Sequence, residues 1–155
     1  MRHSSAIGVI GVLLAIFGGR DAVLASGGLW CDAKDEALEF GVSGGLERGP
    51  GADLFNFEGN LHIHLETVPK AARDFSFGDA DVSQRWLDDK ALKLQLFREQ
   101  MSGPCDYVNL VIETKAIDEG VYAGTYVLTV ALPTAARGGE EATVEARGTV
   151  KCGAE

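Results

Sequence analysis

Alternation of apolar and polar residues with period two runs through most of the chain, and no long segment carries the spacing of a buried helix face. The clearest instance is FNFEGNLHIHLE, residues 55–66. Phe55, Phe57, Gly59, Leu61, Ile63 and Leu65 share one register, and Asn56, Glu58, Asn60, His62, His64 and Glu66 share the other. Successive side chains of a strand point to opposite faces, so this pattern predicts a strand with an apolar inner face and a wet outer one. Pro69 is placed to end it.

The same reading extends along the chain. Leu38, Phe40 and Val42 fall on one side of ALEFGVS, Phe75 and Phe77 mark a short strand, and ALKLQLF turns Leu92, Leu94 and Leu96 inward. Val108, Leu110 and Ile112 form one face of YVNLVIETKA, with Val111 on the other, so this strand is expected to be partly covered on both sides. VYAGTYVLTVAL sets Tyr122, Tyr126, Leu128, Val130 and Leu132 together, opposite Val127 and Ala131. Asp79 or Asp81 is expected to cap one helical turn carrying Val82 and Trp86, with Trp86 in the core. About eight strands separated by Gly, Pro and Asp turns imply an all-β fold, a single antiparallel β-sandwich or, alternatively, a small β-barrel.

The N-terminus carries a different signal. A weakly basic start at Arg2 and His3 precedes the apolar run AIGVIGVLLAIFGG and the small-residue stretch AVLAS. These are the parts of a secretory signal peptide, expected to be cleaved after Ala25 and to leave residues 26–155 as one domain without a membrane anchor. The apolar run is shorter than the roughly 20 residues of a membrane span. Removing residues 1–25 takes away Arg2, Arg20 and Asp21 and moves the formal net charge from −9 to −10. Such a charge disfavours nucleic acid and anionic lipid, both of which gain affinity from Lys and Arg. A basic protein or envelope component, or a cation, is the electrostatically easier partner.

Export, to the periplasm or beyond the cell, places Cys31, Cys105 and Cys152 where thiols oxidise. Cys31 lies near the start of the mature chain, and Cys152 shares the inward parity of Val144, Ala146 and Val150. A Cys31–Cys152 bridge between the first and last strands is therefore favoured, although spacing alone does not fix connectivity. Cys105, beside Pro104 and Asp106, has no CxxC partner and no basic neighbour to activate it.

Few constellations carry chemistry. His62 and His64 are two apart on a strand, so both imidazoles point outward together and could share a Zn²⁺ or Cu²⁺ ion. The sequence names no third ligand, and solvated histidines on a polar face are the plainer account. GVSGG, residues 41–45, matches the GxSxG nucleophile elbow around Ser43, but LERGPGAD cannot supply the helix that must follow. GDADVS resembles the opening of a calcium loop, yet Gln84 stands where the loop needs Gly and Lys90 where it needs Glu. With no nucleophile and base in one pattern, the chain reads as a non-enzymatic binding module for a protein or envelope component, with metal binding at His62 and His64 as the alternative.

LVIETKAIDEGVYAGTY, residues 110–126, resembles the strand E to strand F corner of immunoglobulin-like domains, with Asp118, Gly120 and Tyr122 at the matching places. The resemblance implies a sandwich in which Tyr122 buries its ring and returns its hydroxyl to nearby backbone. Gly124 stands where an antibody-type domain has its second core cysteine, and a local likeness of this length implies no function.

Overall fold

The computed structural model describes residues 27–47, 53–100, 103–133 and 142–155; the expected signal peptide at 1–25 lies outside them. Nine strands follow in order: β1 Gly27–Lys34, β2 Leu38–Leu46, β3 Leu54–Ile63, β4 Asp74–Gly78, β5 Val82–Leu87, β6 Ala91–Glu99, β7 Tyr107–Asp118, β8 Val121–Leu132 and β9 Ala142–Ala154. Two short 3-10 turns, Lys70–Ala72 and Asp79–Asp81, are the only helical elements among the described residues.

The all-β, antiparallel expectation holds. The strands form one continuous sheet in the order β4-β3-β2-β1-β9-β8-β7-β6-β5 rather than two facing sheets, and it curls almost into a barrel. Of the two architectures expected, the small barrel is therefore the nearer. One apolar cluster, from Leu29 on β1 to Cys152 on β9, fills the interior.

Strand direction explains why the ring stays open at one place. Every neighbouring pair is antiparallel, so in a row of nine the two end strands, β4 and β5, run the same way. Parallel neighbours need a crossover of a dozen or so residues. Only Asp79–Asp81 separates β4 from β5, so the two form one bent course that leaves the edge of β3 and joins the edge of β6. Taken as one strand they bring the ring to eight, and only an even ring can alternate throughout.

Two expectations of register are corrected. Asn56 takes a positive φ of 50°, and the β2–β3 ladder shifts between Ser43 and Gly45. Beyond that bulge Phe55 pairs with Gly45 and lies over it on the outer face, while Leu54 takes the inward position. The bulge adds a residue and reverses parity. The strand also ends at Ile63, so His64, Leu65 and Glu66 belong to the following loop.

Val82 and Trp86 lie on strand β5, not on a helical turn. A second irregularity, between Val82 and Gln84, turns Gln84 and Trp86 outward. Trp86 is 59% exposed, not core as expected. The anticipated helical turn is confined to Asp79–Asp81, and β5 is the ninth strand the pattern did not reveal.

Candidate functional site

Cys31 and Cys152 sit directly opposite each other in the β1–β9 ladder and form a disulfide. Cys105 is free and buried, its sulfur 3.6 Å from Gln100 Oε1. Burial and then the Asp106 charge push its thiol pKa up, so the reactive thiolate is scarce at neutral pH. Among the described residues no helix is long and apolar enough to cross a membrane.

His62 lies on β3 between Glu39 of β2 and Asp74 of β4, and its Nδ1 is 2.5 Å from Asp74 Oδ1. The His64 ring stands edge-on to it, with centroids 5.0 Å apart. Both are exposed, and the backbone N–H of His64 donates to Ala37 O. Glu39 is already engaged by Lys34 at 2.7 Å, and that contact outweighs desolvation and holds its carboxyl below the usual range. The structure thus brings the two imidazoles together, but among the described residues no group of three or more His, Cys, Asp or Glu is placed to hold a metal ion.

Asp118, Gly120 and Tyr122 serve a hairpin rather than a corner between sheets. β7 and β8 pair with each other, and Asp118↔Val121 closes the turn. Gly120 has φ +67°, which an L side chain adopts only with strain, and Asp118 Oδ1 accepts the Glu119 N–H. Tyr122 is buried and returns its hydroxyl to backbone, but to Asp88 O in the β5–β6 turn, 2.8 Å away.

Four positions along β8, Tyr126 does the same for the β1–β2 turn. Its ring is fully buried, and its hydroxyl donates to Asp35 Oδ2 at 2.6 Å. Asp35 Oδ1 also accepts the N–H groups of Ala37 and Leu38. Burial would raise the Asp35 pKa, but these donors outweigh it and hold the carboxylate below the usual range. The Tyr126 phenol is pushed up, by burial first and then by Asp35. A side chain at Gly148 would collide with both partners, so the glycine makes room for the pair. This is a structural lock, not an exposed acid–base site.

Ser43 lies within β2 between Trp30 of β1 and Glu58 of β3, at the last pair before the β2–β3 register shift and not on a strand-to-helix elbow. Asp79 Oδ1 and Asp81 Oδ2 accept the backbone N–H groups of Phe57 and Gly78, both at 2.8 Å, so these carboxylates hold the bend between β4 and β5.

A concavity of about 500 Å³ lies on the outer face of β5, β6 and β7, where the sequence named no site. Trp86 forms one wall beside its strand partner Lys93, and Val111 contributes to the floor. Lys93 Nζ meets Glu113 Oε1 at 3.1 Å, and Gln95 Nε2 donates to Asn109 Oδ1 at 2.9 Å. Indole Nε1 donates to Asp88 Oδ2 at 3.1 Å, fixing the ring's orientation at the end of the strand. The available sequence signal was QRW after a bulge-prone VS: once parity is reversed at Ser83, Gln84 and Trp86 join the outward row of Lys93 and Gln95.

Comparison of the chain with protein-family models, with curated proteins and with solved structures gives no match.

Proposed function

We propose that the protein is an exported, non-enzymatic binding module that holds a protein or an envelope component on the outer face of β5, β6 and β7. The observation that carries this reading is Trp86: a large aromatic side chain, 59% exposed and tethered through Nε1, walls a groove whose polar side chains already hold one another in place. Tryptophan is enriched at binding interfaces, where it offers a large contact area, and pre-positioned polar groups lose little entropy on binding. The signal-peptide pattern and the disulfide support secretion or a periplasmic location.

The test uses the chain from residue 26, immobilised and presented with separate protein and polysaccharide fractions of envelope material. Retention that is lost in Trp86→Ala and kept in Trp30→Phe is expected. Equal retention by wild type and Trp86→Ala would remove the face from consideration.

A second reading, Zn²⁺ or Cu²⁺ binding at His62 and His64, is favoured by one observation: Asp74 engages Nδ1 of His62, the arrangement that orients a metal-binding imidazole with Nε2 outward. Two imidazoles completed by water would bind weakly. Calorimetric titration of wild type beside a His62→Ala/His64→Ala double variant decides it, since equal heats dismiss the site.

A further inference from the structure

We infer that the ligand of the β5–β7 face is an uncharged, unbranched polysaccharide segment lying along the strands; this rests on the binding-module reading above and specifies its ligand. Charge is the first ground. The chain carries a formal net charge of −9, yet the charged residues that line this groove are already paired, Lys93 with Glu113 and Arg85 with Asp53. An anionic ligand meets an acidic protein, and a cationic one finds its natural carboxylate already occupied. A neutral ligand incurs neither cost.

Hydrogen-bonding capacity is the second ground. Gln95 uses one amide N–H on Asn109 Oδ1, which leaves the Gln95 carbonyl as an acceptor and the Asn109 amino group as a donor, side by side. A sugar hydroxyl both donates and accepts, so adjacent hydroxyls can use that pair without disturbing it. Gln84, opposite Gln95 on β5, extends the amide row toward Trp86.

Apolar surface is the third. Sugar rings present C–H faces that pack on aromatic planes, and two such platforms flank the amide row. Trp86 stands at one end. Phe97, 39% exposed and packed at a tilt of 34° against Tyr107 with ring centroids 5.5 Å apart, stands at the other. Lys93, opposite Trp86, and Phe97 are four residues apart on β6, about 13 Å along the strand. That separation exceeds one sugar ring, so the site fits several linked units rather than a monosaccharide.

The experiment titrates the mature chain, carrying Trp30→Phe so that fluorescence reports Trp86 alone, with hexasaccharides of unbranched neutral glucan, mannan and xylan. An acidic hexasaccharide and a lysine-rich peptide serve as contrasts. Saturable quenching by at least one neutral hexasaccharide is expected, little changed by salt, far weaker for the matching monosaccharide, and reduced about tenfold or more in Phe97→Ala. Calorimetry on the chain with Trp30 retained should show the same loss in Trp86→Ala. Both substitutions are at exposed positions, and unchanged melting temperatures confirm intact folds. Trp86-dependent binding of the lysine-rich peptide or the acidic sugar, with none of the neutral glycans, overturns the ligand class and leaves the binding module standing. Absence of Trp86-dependent binding to any probe or envelope fraction overturns both.

Discussion

The junction of β1 with β9 and the junction of β4 with β5 complete the same ring by different means, and strand direction accounts for the difference. β1 and β9 run antiparallel, pair over Leu29↔Ala154 to Asp32↔Lys151, and are joined covalently by Cys31 and Cys152. β4 and β5 run the same way and share no ladder. The gaps on either side of their bend are crossed by side chains: Arg85 meets Asp53 ahead of β3 at 2.5 Å, Asp79 accepts from Phe57 N, and Arg98 of β6 reaches Ser76 O and Asp81. A barrel wall can thus be made of backbone or of side chains. Backbone pairing is cooperative and water-excluding, whereas exposed ion pairs are individually weak.

Four measurements would sharpen or break this comparison. The largest effect belongs to the covalent junction: the bridge closes a loop with a sequence separation of 121. A Cys31→Ser/Cys152→Ser variant should lose about 4–5 kcal/mol in denaturant unfolding. Wild type in reductant should match it, and a variant as stable as wild type would show the ladder alone suffices. Next comes the lock beside the same junction. Asp35→Ala strands the buried Tyr126 hydroxyl and frees the N–H groups of Ala37 and Leu38, costing about 1–3 kcal/mol, more than Tyr126→Phe. The reverse order would mean that the phenol, not the turn, carries the interaction.

Arg98→Ala should cost at most about 1 kcal/mol globally. Its signature is local: amides of β4 and β5 should exchange faster with solvent while those of β1 and β9 keep their protection. Uniform acceleration would contradict a separable seam. The smallest effect is the pH dependence of the lock. Asp35 titrates below its unfolded value, so the unfolded chain binds more protons there. The contribution is complete above about pH 4 and fades as pH falls through the folded pKa. An Asp35→Asn variant should therefore show a flatter decline in stability on acidification than wild type. Asp88, held below the usual range chiefly by the N–H groups of Lys90 and Ala91, shifts in the same sense in both proteins.

Regular strands made the fold legible, and bulges hid the rest. In β6 the inward Leu92, Leu94 and Leu96 fall where alternation put them, because nothing interrupts their ladder with β7. The Cys31–Cys152 pair was legible for the same reason, since parity turned Cys152 inward at the chain's far end. Phe55 lies beyond an irregularity at Asn56 that moves it to the other face, and Trp86, expected on a helical turn, lies on a strand whose parity reverses at Ser83. Only local backbone conformation reveals such a reversal; Asn, which tolerates φ > 0, was the one hint. The groove on β5–β7 is not legible in the sequence because Gln84, Gln95 and Asn109 form no compact motif and meet only across strands.

The first and last described strands, β1 and β9, lie against each other. Glu155 N donates to Gly28 O, one position beyond the Leu29↔Ala154 pair, so the first and last described strands finish side by side. In wiring terms residues 27–155 make a loop of cord closed on itself, and the disulfide acts as the splice. Residues 27–155 permuted in order, with a short linker from Glu155 to Gly27 and new ends cut at the Asp88–Lys90 turn, are expected to form the same ring. What sequence order fixes here is where the loop is cut, not the shape it takes.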